Sequence, residues 1–149
     1  MKTSEHQEQV VAHKKKDGYH IEFLSNIPSK KNSKQMICKP YPKLVSSKAH
    51  QKWIKECNSC VEAVQKLKNA DISNIKTIEV EFYHKLNKDG TEPKKTFDLS
   101  NKFESIADWL VDIKFLTDDN YNVLSQVILK FGGFRPEQGA DVHLYIEEL

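Results

Sequence analysis

The sequence is poor in the residues and segments that mark several common protein classes. Its 149 residues include only five glycines, five prolines and three cysteines. No apolar run reaches the roughly 18 to 20 residues of a membrane-spanning helix, and the first residues lack the apolar stretch of a signal peptide. We therefore expect a cytoplasmic protein without membrane contact. Three cysteines at uneven spacing also argue against a secreted disulfide scaffold.

The scarcity of glycine limits the enzyme classes that the chain can belong to. Five glycines offer little material for a phosphate-cradling loop, and no dinucleotide fingerprint or nucleophilic serine or cysteine motif is present. Cys57 and Cys60 fall on the apolar stripe of a predicted helix, so we interpret them as core residues. The alternative is a zinc site completed by Cys38 and His50.

Charge is divided unevenly along the chain. The 23 basic and 21 acidic residues leave a formal net charge of +2. Residues 26–55 hold eight lysines and no acid, whereas residues 96–149 hold ten acids and four bases. A basic segment is typical of proteins that bind a phosphate-bearing partner, and clustered acids suggest metal ions that activate phosphate. An ordinary solvated surface is the alternative for both segments.

Periodicity predicts one α/β (α+β) domain over residues 18–149, after a flexible polar tail over residues 1–17. Alternating apolar residues predict strands at 19–24, 77–86, 123–131 and 141–146, with a loop at 132–140 before the last strand. Residues 25–35 read as a basic loop. The prolines within residues 36–45 exclude a central strand there and leave at most an extension of the sheet edge.

Two helices are predicted from apolar residues at helical spacing. The first runs from Ser46 or Ser47 to about Leu67, and the second follows Asp98 and ends before Phe115. We expect these two main helices to cover a small mixed β-sheet in a two-layer architecture. Four aromatic residues are interpreted as core, namely Trp53, Trp109, Phe115 and Phe131. Tyr121 and Phe134 lie near loops, so we do not assign them to the core.

Polar residues gather where predicted strands and helices join. The segment DLSNK, residues 98–102, precedes the second helix, and Asp118 and Asp119 follow it. Side chains at strand–helix junctions project together at one end of a sheet, where ligands commonly bind. The two acidic clusters meet there if the loop after the helix doubles back.

Four motifs follow one another in an order that is specific as a set. They are the IPSKKN loop at residues 27–32, the DLSN box at 98–101, a helix with the internal acid Asp108, and the pair Asp118 and Asp119. Over roughly residues 19–149 this series resembles the RusA family of Holliday junction resolvases. The resemblance implies a homodimeric, Mg²⁺-dependent endonuclease that cleaves phosphodiester bonds in branched DNA, such as a four-way junction, during recombination and repair.

The resemblance also implies roles for individual residues. Asp98 and Asp119 match the family's metal-binding positions, and Asp118 is the nearest competitor. A catalytic lysine accompanies them in the family, but its position is occupied here by Glu104. Lys102, two residues earlier, is our candidate for that role.

Ser100 is a departure from the family's pattern, because the best-known members have a second aspartate there. Ser100, Glu104 and Asp108 lie along one helix face, so Glu104 is the best candidate to restore the missing charge as a metal ligand. The alternative is that Ser100 caps the helix and Glu104 closes a capping box. Asn101 completes the DLSN box and is a further site candidate.

The basic loop supplies candidate contacts to DNA. Lys30, Lys31, Asn32 and Lys34 offer donors to backbone phosphates, which give affinity without sequence information. A solvated lysine loop is the alternative. A DNA-binding module of the same fold that has lost its chemistry through Ser100 is the alternative to a nuclease.

Overall fold

The computed structural model describes residues 9–29, 34–37, 43–46, 48–69, 75–116 and 125–146. These residues form seven strands and three helices in a mixed α+β fold. In chain order the elements are β1 Val10–Lys15, β2 Gly18–Phe23, β3 Lys34–Ile37, β4 Lys43–Ser46, α1 Lys48–Asn58, α2 Val61–Lys68, β5 Thr77–Lys85, α3 Leu99–Asp112, β6 Gln126–Arg135 and β7 Gly139–Tyr145. None of the helices in this part of the chain is long and apolar enough to cross a membrane.

Five strands form one mixed sheet in the order β1-β2-β7-β5-β6. β5 and β6 are parallel, and the other neighbours are antiparallel. α3 lies between β5 and β6 in the chain, as a parallel pair requires a long crossover connection. The mixed sheet predicted from the sequence is therefore confirmed. β3 and β4 pair only with each other among the described strands, so these two strands do not extend the edge of the large sheet.

The prediction of a flexible tail is wrong for residues 10–15. They form β1, which pairs with β2 along its whole length and buries Val10 and Ala12. Val10 and Ala12 are the only buried apolar residues of this strand, and residues 13–17 are all polar. The strand therefore has little apolar periodicity to detect. Lysines are common on edge strands because they discourage pairing with another chain.

The long first helix predicted from the sequence is interrupted after Asn58. The backbone N–H of Cys60 donates to the carbonyl of Cys57 at 3.1 Å, and the Ser59 hydroxyl donates to the carbonyl of Glu56 at 2.6 Å. Serine and asparagine side chains compete with the helical hydrogen bonds in this way, which favours a break. Val61 consequently turns outward, with 58% of its surface exposed.

The core is built from residues of the large sheet and of all three helices. Phe23 of β2 contacts the rings of Trp53 from α1 and Trp109 from α3, with centroid separations of 6.0 and 5.7 Å. Cys57 and Cys60 are buried in the same core, and burial raises the pKa of the Cys57 thiol well above its ordinary value. This confirms the core interpretation of the two thiols and disfavours the zinc alternative, for which Cys38 lies outside the described residues.

The loop predicted at residues 132–140 is shorter than expected, because β6 continues through its two glycines. The register with β5 shifts between Phe82 and Tyr83, so that Gly132 is an extra residue on β6 and Tyr83 pairs with Gly133. Gly133 has a φ of 111°, which other residues rarely adopt. The glycines therefore mark a β-bulge and not the end of the strand.

Candidate functional site

The first turn of α3 is capped by Asp98. Its Oδ1 accepts hydrogen bonds from the backbone N–H groups of Ser100 and Asn101, at 2.9 and 3.2 Å, and from the Ser100 hydroxyl at 2.6 Å. These bonds satisfy donors that the start of a helix leaves without an intrahelical acceptor. The capping box proposed for Ser100 and Glu104 is therefore wrong, since Asp98 holds the cap position and Glu104 lies within the helix.

Lys102 connects α3 to the segment that follows β2. Its side chain is 6% exposed, and Nζ donates to Asn26 Oδ1 at 2.9 Å and to the Ile27 carbonyl at 2.6 Å. One turn further along α3, the buried Ser105 hydroxyl donates to the Pro28 carbonyl at 2.6 Å. Residues 27–29 of the IPSKKN loop, called the IPS motif below, are thus fixed to the start of α3 and its DLSNK motif. Roughly 70 residues separate the two motifs in the chain.

The environment of Lys102 disfavours its charged form. Burial, together with the smaller effect of the positive charge of Lys95, lowers the pKa of the Lys102 ammonium to about 8. The Phe97 ring lies 4.6 Å from Nζ and provides a cation–π contact. Lysines whose pKa is strongly lowered by their surroundings cluster at functional sites.

A cavity of about 440 Å³ opens where these segments meet. Its lining combines the loop after β2, the segment before α3 and the first turn of that helix. The residues that carry this site are Asn26, Pro28, Ser29, Asp98, Asn101 and Lys102. Other residues of its wall include His84, Lys95, Phe97 and Gln138. The structure therefore brings three candidates predicted from the sequence, Asp98, Asn101 and Lys102, to one place.

Other candidates lie elsewhere. Glu104 is exposed and is not among the residues that line this cavity; it lies about 200° around the helix from Lys102. Asp108 lines a separate cavity against α1, together with His50. The structure does not bring these two acids to Asp98, and Glu104 as a metal ligand and Asp108 as a further site candidate stay predictions.

Several predicted residues lie outside the described part of the chain. They are Lys30, Lys31, Asn32, Asp118 and Asp119. Lys34 begins β3, so the predicted loop ends before it. The proposed meeting of Asp98 with Asp119 therefore remains a prediction from the sequence.

An aromatic cavity of about 290 Å³ adjoins the site and shares His84, Lys95 and Phe97 with it. Phe131 and Phe134 of β6 form its far wall, with their ring centroids 5.5 Å apart. Phe131 is 50% exposed, so its interpretation as a core residue is wrong. The prediction failed because Phe131 lies on β6, an edge strand of the sheet. Alternation in the sequence identifies a strand but does not show whether other residues cover its apolar side chains.

Sequence reasoning missed Asn26, His84 and Gln138 as site residues. Asn26 directly precedes the IPS motif, so its polar side chain beside that motif was a usable signal. His84 and Gln138 carry no local pattern and reach the cavity only through the pairing of the strands.

Neither protein-family models nor curated protein sequences give a match to this chain.

The lowered pKa of Lys102 predicts a pH dependence of stability. Below about pH 8 the lysine is charged in both the folded and unfolded chain, and between about 8 and its ordinary 10.5 the folded chain has released the proton that the unfolded chain keeps. The free energy of unfolding should therefore rise with pH in this window, by up to about 1.4 kcal/mol per pH unit, relative to Lys102→Met. Urea unfolding across this range checks it.

Lys88→Met, which removes an exposed lysine from a turn, is the matched control and should follow the wild type. Equal pH slopes for wild type and Lys102→Met would contradict the assignment. At neutral pH, the free energy of unfolding of Lys102→Met should also be about 1 to 3 kcal/mol lower than that of the wild type, because the Ile27 carbonyl loses its buried donor.

Proposed function

We propose that the protein is a Mg²⁺-dependent endonuclease that cleaves branched DNA, with the four-way junction of recombination and repair as its substrate. The observation that carries the proposal is the joining of the IPS and DLSNK motifs by Lys102 and Ser105 around one cavity. These are two of the four motifs on which the resemblance to the RusA family rests. The two-layer arrangement expected for that fold is part of the same proposal.

The donor set of the cavity suits a hard divalent ion. Mg²⁺ prefers oxygen ligands and commonly takes one or two carboxylates together with waters and phosphate oxygens. Asp98 contributes a carboxylate and Asn101 an amide oxygen, and Asp119 or Asp118 is the proposed second carboxylate. When bound, the ion polarises the phosphate and lowers the pKa of a bound water.

The chain's own residues have two tasks in this proposal. Lys102 holds Asn26 and Ile27 in place and adds positive charge beside the position of the scissile phosphate. Ser29 lies on the cavity wall, and Lys30, Lys31, Asn32 and Lys34 follow it closely in the sequence, so these four residues are the proposed phosphate contacts. The lysines then position the branched substrate without reading its bases.

A second function, binding of branched DNA without cleavage, is favoured by one observation. Ser100 replaces a carboxylate of the family, and its hydroxyl donates to Asp98 Oδ1. A site with fewer charged ligands holds a hard cation less strongly. A cleavage assay on a four-way junction distinguishes the two functions, because only the endonuclease cuts the DNA.

Asp98→Asn is the most informative variant for the chemistry. Asparagine caps helices about as well as aspartate, so the substitution removes the negative charge and keeps the first turn of α3. We expect junction cleavage to fall by about 100-fold or more while junction binding is retained. Gel assays with a synthetic four-way junction, with and without Mg²⁺, measure both.

Asp112→Asn at the far end of α3 is the matched control and should cleave like the wild type. Asp98→Ala should in addition lower the free energy of unfolding by about 0.5 to 2 kcal/mol, because the cap is lost. Unchanged cleavage in both Asp98→Asn and Asp119→Asn would contradict the metal site proposed on these carboxylates, and absence of junction cleavage by the wild type with Mg²⁺ would leave the binding module.

The aromatic cavity beside Asp98 suits an unpaired base at the branch point. Base stacking on an aromatic ring contributes about 1 to 3 kcal/mol. Phe131→Ala should therefore weaken junction binding by about tenfold, with the same salt dependence as the wild type because no phosphate contact is lost. Val127→Ala removes a side chain of similar exposure, 43%, from the same strand. Equal affinities of these two variants in fluorescence anisotropy would contradict a stacking role.

A homodimer is part of the proposal, since a symmetric junction needs two opposed nicks and a two-fold dimer presents two identical sites. Light scattering of the active protein should give about twice the chain mass of 17.3 kDa. A monomer at every concentration that supports cleavage would exclude it.

A further inference from the structure

The face of the large sheet that points away from the helices carries two rows of titratable side chains. Ile21 and Phe23 of β2 are buried in the core, so the alternating residues His20 and Glu22 lie on the opposite face. Strand pairing extends each of these positions into a row. The rows are Glu22, Asp141 and Glu81 across β2, β7 and β5, and His13, His20 and His143 across β1, β2 and β7.

The acidic row is only partly compensated by positive charge. Like charges directly opposite one another on paired strands are destabilising, and Asp141 has an acid opposite it on both sides. Glu81 accepts a hydrogen bond from the Tyr83 hydroxyl. Arg135 Nη1 lies 3.7 Å from Asp141 Oδ1, beyond hydrogen-bond distance, and two other nitrogens of this guanidinium donate to backbone carbonyls. A cation between Glu22 and Asp141 would relieve their repulsion.

Two atoms of this face are shielded from solvent without a hydrogen-bond partner among the described residues. They are His20 Nε2 and Asp141 Oδ1. Burying polar atoms in this way costs free energy unless something binds them. One ligand atom each from His20, Glu22 and Asp141 lies within 4.8 Å of the others, so these three side chains can converge on one ion.

We propose that His20, Glu22 and Asp141 bind one divalent transition metal ion, with Zn²⁺ as the best match. One imidazole and two carboxylates form a mixed nitrogen and oxygen set that suits Zn²⁺, whereas Mg²⁺ favours oxygen alone. Zinc bonds of about 2.1 Å in a tetrahedron place ligand atoms about 3.4 Å apart, so the three side chains close by on the order of 1 Å.

The surroundings of the trio support this assignment. His13 Nε2 lies 3.0 Å from Glu22 Oε2, a hydrogen bond of the kind that orients a ligating carboxylate. His143 stacks on His20 with ring centroids 4.4 Å apart and an interplanar angle of 7°, which restricts the imidazole. The site is separate from Asp98, which lies at the start of α3 on the side of the helices.

Isothermal titration of the full chain with Zn²⁺ tests the site. The wild type should bind one ion per chain, and His20→Gln and Asp141→Asn should each weaken binding by at least about tenfold. Glu79→Gln removes an acid of the neighbouring strand that pairs with Lys130, and it should leave the affinity unchanged. Millimolar Mg²⁺ should not displace the zinc.

Circular dichroism of the metal-free variants checks that they fold, and Glu22→Gln replaces either variant that does not. Zinc affinity equal to that of the wild type in the folded ligand variants would overturn the proposal, since the ion would then be held elsewhere, for example by thiols. Absence of binding in the wild type would overturn it as well.

Discussion

The buried ammonium of Lys102 is the contact on which the geometry of the candidate site depends. It donates to Asn26 and to the Ile27 carbonyl, and so fixes the chain leaving β2 against the first turns of α3. Ser105 adds a second buried bond to the same segment at Pro28. Together with the burial of Ile27 in the core, these bonds set the position of the segment after β2 relative to Asp98. A charge that is costly to bury therefore determines where the cavity opens.

The sequence predicted those elements whose periodicity is determined by burial on one face. β5 alternates because one of its faces packs in the core, and α3 shows apolar residues at helical spacing because Ile106, Trp109 and Leu110 face the sheet. The elements that it missed depend on pairing or on local competition. β1 is an edge strand with few apolar residues, the first helix breaks where Ser59 competes for a backbone carbonyl, and the paired glycines form a bulge that only register reveals.

The candidate site was predictable in part for similar reasons. A polar DLSN segment before an amphipathic helix indicates the helix start, and Asp98, Asn101 and Lys102 follow from that. The choice of Asp98 over Ser100 as the cap depends on backbone angles that the sequence does not encode locally. Glu104 shares a face with Ser100, but that face is exposed and does not meet the cavity. The partners of Lys102 depend on tertiary packing across more than 70 residues, which no spacing rule supplies.

The two faces of the sheet carry different chemistry, and this separation allows a direct test of the proposed DNA site. A titration of isotopically labelled protein with a four-way junction, followed through its amide chemical shifts, tests the central proposal that the cavity between β2 and α3 binds DNA. The account predicts that the shifts of Asn26, Ile27, Ser29 and residues 96–102 change together, while those of His20 and His143 on the opposite face do not. Changes confined to the opposite face, or none near Asp98, would contradict it.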